Sequence, residues 1–110
     1  MEPALVNDPG ISSILEELVR LEFDFHQPKP GTPLASLERM SASDFWEVGA
    51  SGRRYSQDFA LEEPDKRRQH PGPEAWKYSD HHCRKLAQDI YLLTYTLVQD
   101  NGRLTRRSTN

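Results

Sequence analysis

The first sustained hydrophobic pattern in the chain is Ile11, Ile14, Leu15, Leu18, Val19, Leu21 and Phe25, with Glu16, Glu17, Arg20 and Glu22 on the other side. Apolar positions three and four apart predict an amphipathic helix of about four turns. Ser12 or Ser13 suits its N-cap, and Glu16 stands three residues after Ser13, the capping-box position. Pro28 ends the helix, since its ring clashes with a continuing turn. Before it, Pro3, Pro9 and Gly10 oppose regular structure, so residues 1–10 form a flexible lead-in. After it, residues 27–33 hold three prolines and one glycine and form a loop. Leu34, Leu37 and Met40 then repeat every three residues. They predict a short helix that opens on Pro33, a residue suited to a first helical position.

Phe45, Trp46 and Val48 favour a strand. Ser51-Gly52-Arg53-Arg54 is a turn, and Arg54-Tyr55 begins a return strand. Ser56 caps a third helix that reaches Asp65 and carries Phe59 and Leu61. Residues 66–73 form a polar loop closed by Pro71-Gly72-Pro73. Residues 76–86 alternate loosely. The clearest strand runs from Asp89 to Val98, where nearly every residue is a β-former. Asp100-Asn101-Gly102 is a hairpin turn of the kind that needs positive φ, and Arg103 to Thr109 is the returning strand. Helices followed by antiparallel strands predict an α+β fold, helices packed on one face of a curved, mainly antiparallel sheet, with residues 11–110 as a single domain. The unbroken run Ile90 to Val98 suits a central strand covered on both faces, by helices and by a partner subunit.

Composition narrows the function classes. The 110 residues carry a net charge of −3, a pI of about 5.8 and a mean hydropathy of −0.80. The basic pairs Arg53-Arg54, Arg67-Arg68 and Arg106-Arg107 form no continuous stripe, so no nucleic-acid partner is expected. No apolar run approaches the ~20 residues that cross a bilayer, so no membrane partner is expected either. The polar, acidic start has no signal-peptide pattern, and Cys83 stands alone, which excludes an internal disulfide. A reducing, cytoplasmic setting is the expectation.

Three stretches carry a resemblance. They are Leu21-Glu22-Phe23-Asp24-Phe25-His26, then Ser43 through Gly52, then the run Leu86-Ala87-Gln88-Asp89-Ile90-Tyr91-Leu92-Leu93-Thr94-Tyr95 with the ending Arg106-Arg107-Ser108. Together, from Ile11 to Asn110, they resemble the polyketide-cyclase-like (SnoaL-like) branch of the nuclear transport factor 2-like superfamily, a bacterial branch of uncharacterised function. The resemblance implies a cone-shaped fold in which three helices wrap a strongly bent sheet around a solvent-opening pocket. It also implies a homodimer packed sheet to sheet. Relatives include isomerases, cyclases, dehydratases and members without known catalysis, so the fold implies a pocket rather than a reaction. Two departures stand out. The chain stops at Asn110, before the tryptophan-containing hairpin usual in the family, which leaves an open sheet edge. No Asp/His or Tyr/Asp pair of the catalytic members maps onto matching positions.

Four residues remain candidates for a ligand site. Glu47, in a strand between Trp46 and Val48, suits a base or a ligand clamp and is the best catalytic candidate; its structural role would be to pair with Arg54. Tyr55 offers a hydroxyl, against plain core packing. Thr94 and Tyr95 face opposite sides of the central strand; Thr94 is the polar pocket candidate and Tyr95 the interface candidate. Arg107 suits an anionic group, or is an exposed edge charge. Asp80-His81-His82-Cys83 has the letters of the active motif of membrane palmitoyltransferases, but no transmembrane run or cysteine-rich zinc framework accompanies it. Adjacent strand residues point to opposite faces, so at most Asp80 and His82 share one, with His26 as a candidate third ligand, and zinc wants at least three. No metal and no cofactor is expected, and Cys83 reads as a small core residue. The leading expectation is a homodimeric small-ligand-binding domain. Behind it stand an isomerase, cyclase or dehydratase with Glu47 as general base, and an interaction module docking through the edge after Arg103.

Overall fold

Residue patterning becomes structure in the order helix, helix, strand hairpin, helix, three-strand meander. A computed structural model of the chain describes residues 1–70, 76–99 and 102–110. The helices are α1 (Ser12–His26), α2 (Leu34–Arg39) and α3 (Gln57–Gln69); the strands are β1 (Trp46–Val48), β2 (Arg54–Ser56), β3 (Lys77–Ala87), β4 (Ile90–Val98) and β5 (Leu104–Thr109). The class is α+β, and all strand pairs are antiparallel: β1 with β2 in one sheet, and β3-β4-β5 in another. The expected loop Pro71-Gly72-Pro73 lies outside the described residues, as do Asp100 and Asn101 of the expected turn. Gly102 is described, and its φ of +79° is the left-handed conformation expected there. The chain divides into two compact units, Met1–Arg20 with Glu74–Asn110, and Leu21–Pro73.

The first unit is organised by β4. Leu93, Tyr95 and Leu97 alternate along it, so they share one face, and they are buried to 2% exposure or less. Leu15, Leu18 and Val19 of α1 pack on that face, together with Trp76 and Tyr78. Tyr95, expected at a subunit interface, is instead part of this core. Leu15, Leu18 and Val19 of the predicted helix face are thus half-buried against the core, whereas Leu21 of the same predicted face is exposed. The start of α1 differs from expectation: Ser12 and Ser13 lie inside the helix, and the capping side chain is Asp8, on a short turn that precedes it. The Asp8 carboxylate accepts from Gly10 N–H at 2.8 Å and opens a 3-10 turn, Pro9–Ile11, that leads into α1.

β3 pairs with β4 along its length but loses step twice, between Ser79 and His82 and again between Lys85 and Ala87 next to the hairpin end. Ser79 faces Thr96 and His82 faces Thr94, so Asp80 and His81 together face Tyr95, a β-bulge. Asp80 has φ +57°, a conformation that Asp tolerates better than most residues. Its Oδ2 accepts from Thr96 Oγ1 at 3.1 Å. The outer edge of β3 is met by Asn7: its Nδ2 donates to the His81 carbonyl at 3.0 Å, and its Oδ1 accepts from the Cys83 N–H at 2.8 Å. Within the stretch read as a lead-in, one side chain therefore stands in for a strand.

In the second unit, α3 packs on α2 and on the β1-β2 hairpin. Leu37, Leu61 and Pro64 are its buried side chains in α2 and α3. Ser56 caps α3 as expected, accepting from the Phe59 N–H at 3.5 Å. The helix does not stop at Asp65; it runs through Pro64 to Gln69. The extra turn is held by ion pairs from Arg68 to Asp65 at 2.6 Å and from Lys66 to Glu63 at 3.3 Å, and by basic residues facing the negative end of the helix. Arg67 and Arg68 reach further, donating to the carbonyls of His26 at 3.0 Å and Thr32 at 3.3 Å.

Asn7→Ala removes both edge bonds of β3 and leaves an exposed helix cap next door intact. The substitution is expected to lower stability by about 1–2 kcal/mol, read as a drop in the urea midpoint without a change in slope.

Candidate functional site

The sequence-derived candidates fall into two groups. Glu47 and Tyr55 are register partners across β1 and β2, so their side chains share a face. Arg54 pairs with Val48, on the opposite face, which removes it as the structural partner of Glu47. Tyr55 is committed to packing: its ring stacks on Phe59 at 4.6 Å with an interplanar angle of 9°. The same ring lies against Gly49, where a Cβ would stand 2.6 Å from Tyr55 Cε2. Gly49 is required there by close approach. Thr94 pairs with His82 and Ser108, while Arg107 pairs with Tyr95. Thr94 and Arg107 consequently project from opposite faces of the same sheet.

The Asp80-His81-His82-Cys83 run is used structurally. Asp80 is bonded to Thr96, and His81 stacks on the Tyr95 ring at 5.5 Å. His82, paired with Thr94, points to the other face. Cys83 is buried at 3% exposure, and burial pushes its thiol above the usual value, which keeps it neutral and unreactive. Among the described residues no group of three or more His, Cys, Asp or Glu is placed to hold a metal ion.

A cleft of about 540 Å³ opens beside the outer edge of β3. One wall is the N-terminal segment, with Ala4, Leu5 and Val6, continued by Asp8 and Ile11; the other is β3 from His82 to Lys85. Leu5 and Val6 are 55% and 83% exposed, so the wall presents apolar surface that the chain does not cover. Asp8 is occupied by its capping bond. Arg84 and Lys85 are exposed and enter no ion pair among the described residues. The cleft therefore joins an apolar wall to two cations, Arg84 and Lys85, with the Asp8 carboxylate also in its lining. None of Glu47, Tyr55, Thr94 and Arg107 lines it. The sequence signals that mark it are the Ala4-Leu5-Val6 triplet inside a polar lead-in and the Arg84-Lys85 pair, which stands apart from the three pairs of arginines.

No protein-family model matches the chain, and no curated protein or solved structure matches it. Among the described residues no helix is long and apolar enough to cross a membrane.

His81 titrates in a way the fold should feel. Burial lowers its pKa from the ordinary 6.5, and the Asp80 carboxylate pulls the other way but less strongly. A group whose folded pKa lies below its unfolded value is protonated more readily in the unfolded chain. Stability is therefore full at neutral pH and falls as pH drops through about 6.5. Urea midpoints on either side of that value are expected to show the loss, and His81→Gln is expected to make it smaller.

Proposed function

We propose that this protein is a small-ligand-binding domain whose site is the cleft beside β3, and that its preferred ligand joins an apolar body to an anionic group. The observation that carries this reading is the coexistence of uncovered Leu5 and Val6 with the unpaired Arg84 and Lys85 in one recess. Its volume falls within the range that holds small organic ligands. The resemblance to the nuclear transport factor 2-like superfamily supports the same class of function; the structure itself carries the α+β class, with its strands in two separate sheets. On this reading the helices and strands belong to the cone fold of that superfamily, and the protein works in the cytoplasm as a homodimer joined through its sheet. Support for the dimer comes from β4, whose second face carries the half-buried Leu92 and Val98 beside exposed Ile90 and Leu104. Titration with decanoate tests the site. The expected result is saturable binding that weakens about tenfold or more in the Arg84→Ala, Lys85→Ala double variant, since a charge-assisted bond contributes about 1.5–3 kcal/mol. Unchanged affinity in that variant removes the cleft from consideration.

The pairing of Glu47 with Tyr55 favours a second reading. In an isomerase, cyclase or dehydratase, Glu47 would take a proton and the Tyr55 hydroxyl would stabilise the charge left on the substrate. Once a turnover assay exists, Glu47→Gln is expected to reduce kcat by at least about a hundredfold. Retained turnover rules this reading out.

A further inference from the structure

The outer edge of β3 offers more bonding groups than the chain itself uses. The Cys83 N–H points away from β4, because it donates to Asn7 Oδ1 at 2.8 Å. Backbone groups in an antiparallel strand alternate between its two edges, two residues apart. The Cys83 carbonyl and the Lys85 N–H therefore point to the same outer edge, and both residues line the cleft. The preceding place on this edge, the His81 carbonyl and the Cys83 N–H, is already filled by an amide, the side chain of Asn7. That amide stands where one peptide unit of an additional strand would stand. The next place is open, and it lies between Arg84 and Lys85 on one side and Leu5 and Val6 on the other.

We infer that the cleft binds a short, extended, acidic peptide that adds to β3 as a further strand. Main-chain bonds go to the Cys83 carbonyl and the Lys85 N–H, continuing the line begun by Asn7. Arg84 and Lys85 are consecutive, so they project to opposite faces of the strand. Two adjacent carboxylates on the peptide, which alternate in the same way, meet one each. A neighbouring apolar side chain rests on Leu5 and Val6. This inference depends on the cleft being a ligand site and names the class of ligand. A neutral strand would leave both cations without partners, and a basic one would repel them, so charge selects the occupant.

The test uses the full chain and the blocked peptide acetyl-Ala-Val-Glu-Glu-Val-amide, titrated by calorimetry next to decanoate. The peptide is expected to bind, and to bind about tenfold or more weakly when both glutamates become lysine, or when the amide between them is N-methylated. Arg84→Glu with Lys85→Glu should produce a loss of the same size while circular dichroism stays unchanged, as both side chains are exposed. Equal affinity for the N-methylated peptide would exclude strand addition, and equal affinity for the lysine peptide would exclude selection by charge. If decanoate binds and the peptide does not, the ligand-binding reading stands and the peptide class falls. If neither binds, both fall together.

Discussion

β4 cannot be left half covered. Its face of Leu93, Tyr95 and Leu97 is almost wholly removed from water by α1, and each such side chain contributes about 1.5–3 kcal/mol when fully buried. That requirement dictates what β3 must do beside it. Tyr78 faces Leu97 and Cys83 faces Leu93, so both belong on the buried side. They are five positions apart, an odd number, and a regular strand would send them to opposite faces. One inserted residue restores the parity. Asp80 is that residue: it turns to φ +57°, places its carboxylate on Thr96, and leaves His81 on the ring of Tyr95. The bulge is a consequence of the core.

The same account explains which parts of the fold can be foreseen. The existence of α1 and the extent of β4 follow from unbroken periodicity, 3.6 in one and a continuous β-forming run in the other, and Leu15, Leu18 and Val19 of the predicted α1 face pack on the core while Leu21 is exposed. Residues 76–86 alternate only loosely because the period resets at Asp80. The end of α3 is hidden for another reason. The polar run from Lys66 reads as a loop, yet its side chains bond to neighbours in the helix and to the carbonyls of His26 and Thr32. Only tertiary contacts reveal those acceptors. The cleft is hidden likewise, since its existence depends on Asn7 reaching β3 across 74 and 76 positions of sequence.

Chemistry-bearing side chains are, for the most part, already employed in holding this structure. Tyr55 is fixed between Gly49 and Phe59, Asp80 holds the bulge, His81 lies on Tyr95, and Cys83 is buried with its thiol kept neutral. A reactive group needs freedom to meet a substrate as well as a suitable pKa. Arg84 and Lys85 keep that freedom and bring permanent positive charge rather than acid–base capacity. Recognition of an anion asks for nothing more, and this is why binding ranks above catalysis for this protein.

Edge strands are dangerous because any extended chain can pair with them. β3 meets that danger with three devices together: a bulge at Asp80, a side-chain amide capping part of the edge, and two cations where the edge is left open. The first two block pairing outright. In the proposed reading the third blocks it selectively, since two cations disfavour a basic strand and favour an acidic one. Protection and recognition are then one arrangement of charges seen by different partners. The open place lies on the stretch from His82 to Lys85, where the ladder with β4 keeps a constant register between its two shifts, at Ser79/His82 and at Lys85/Ala87.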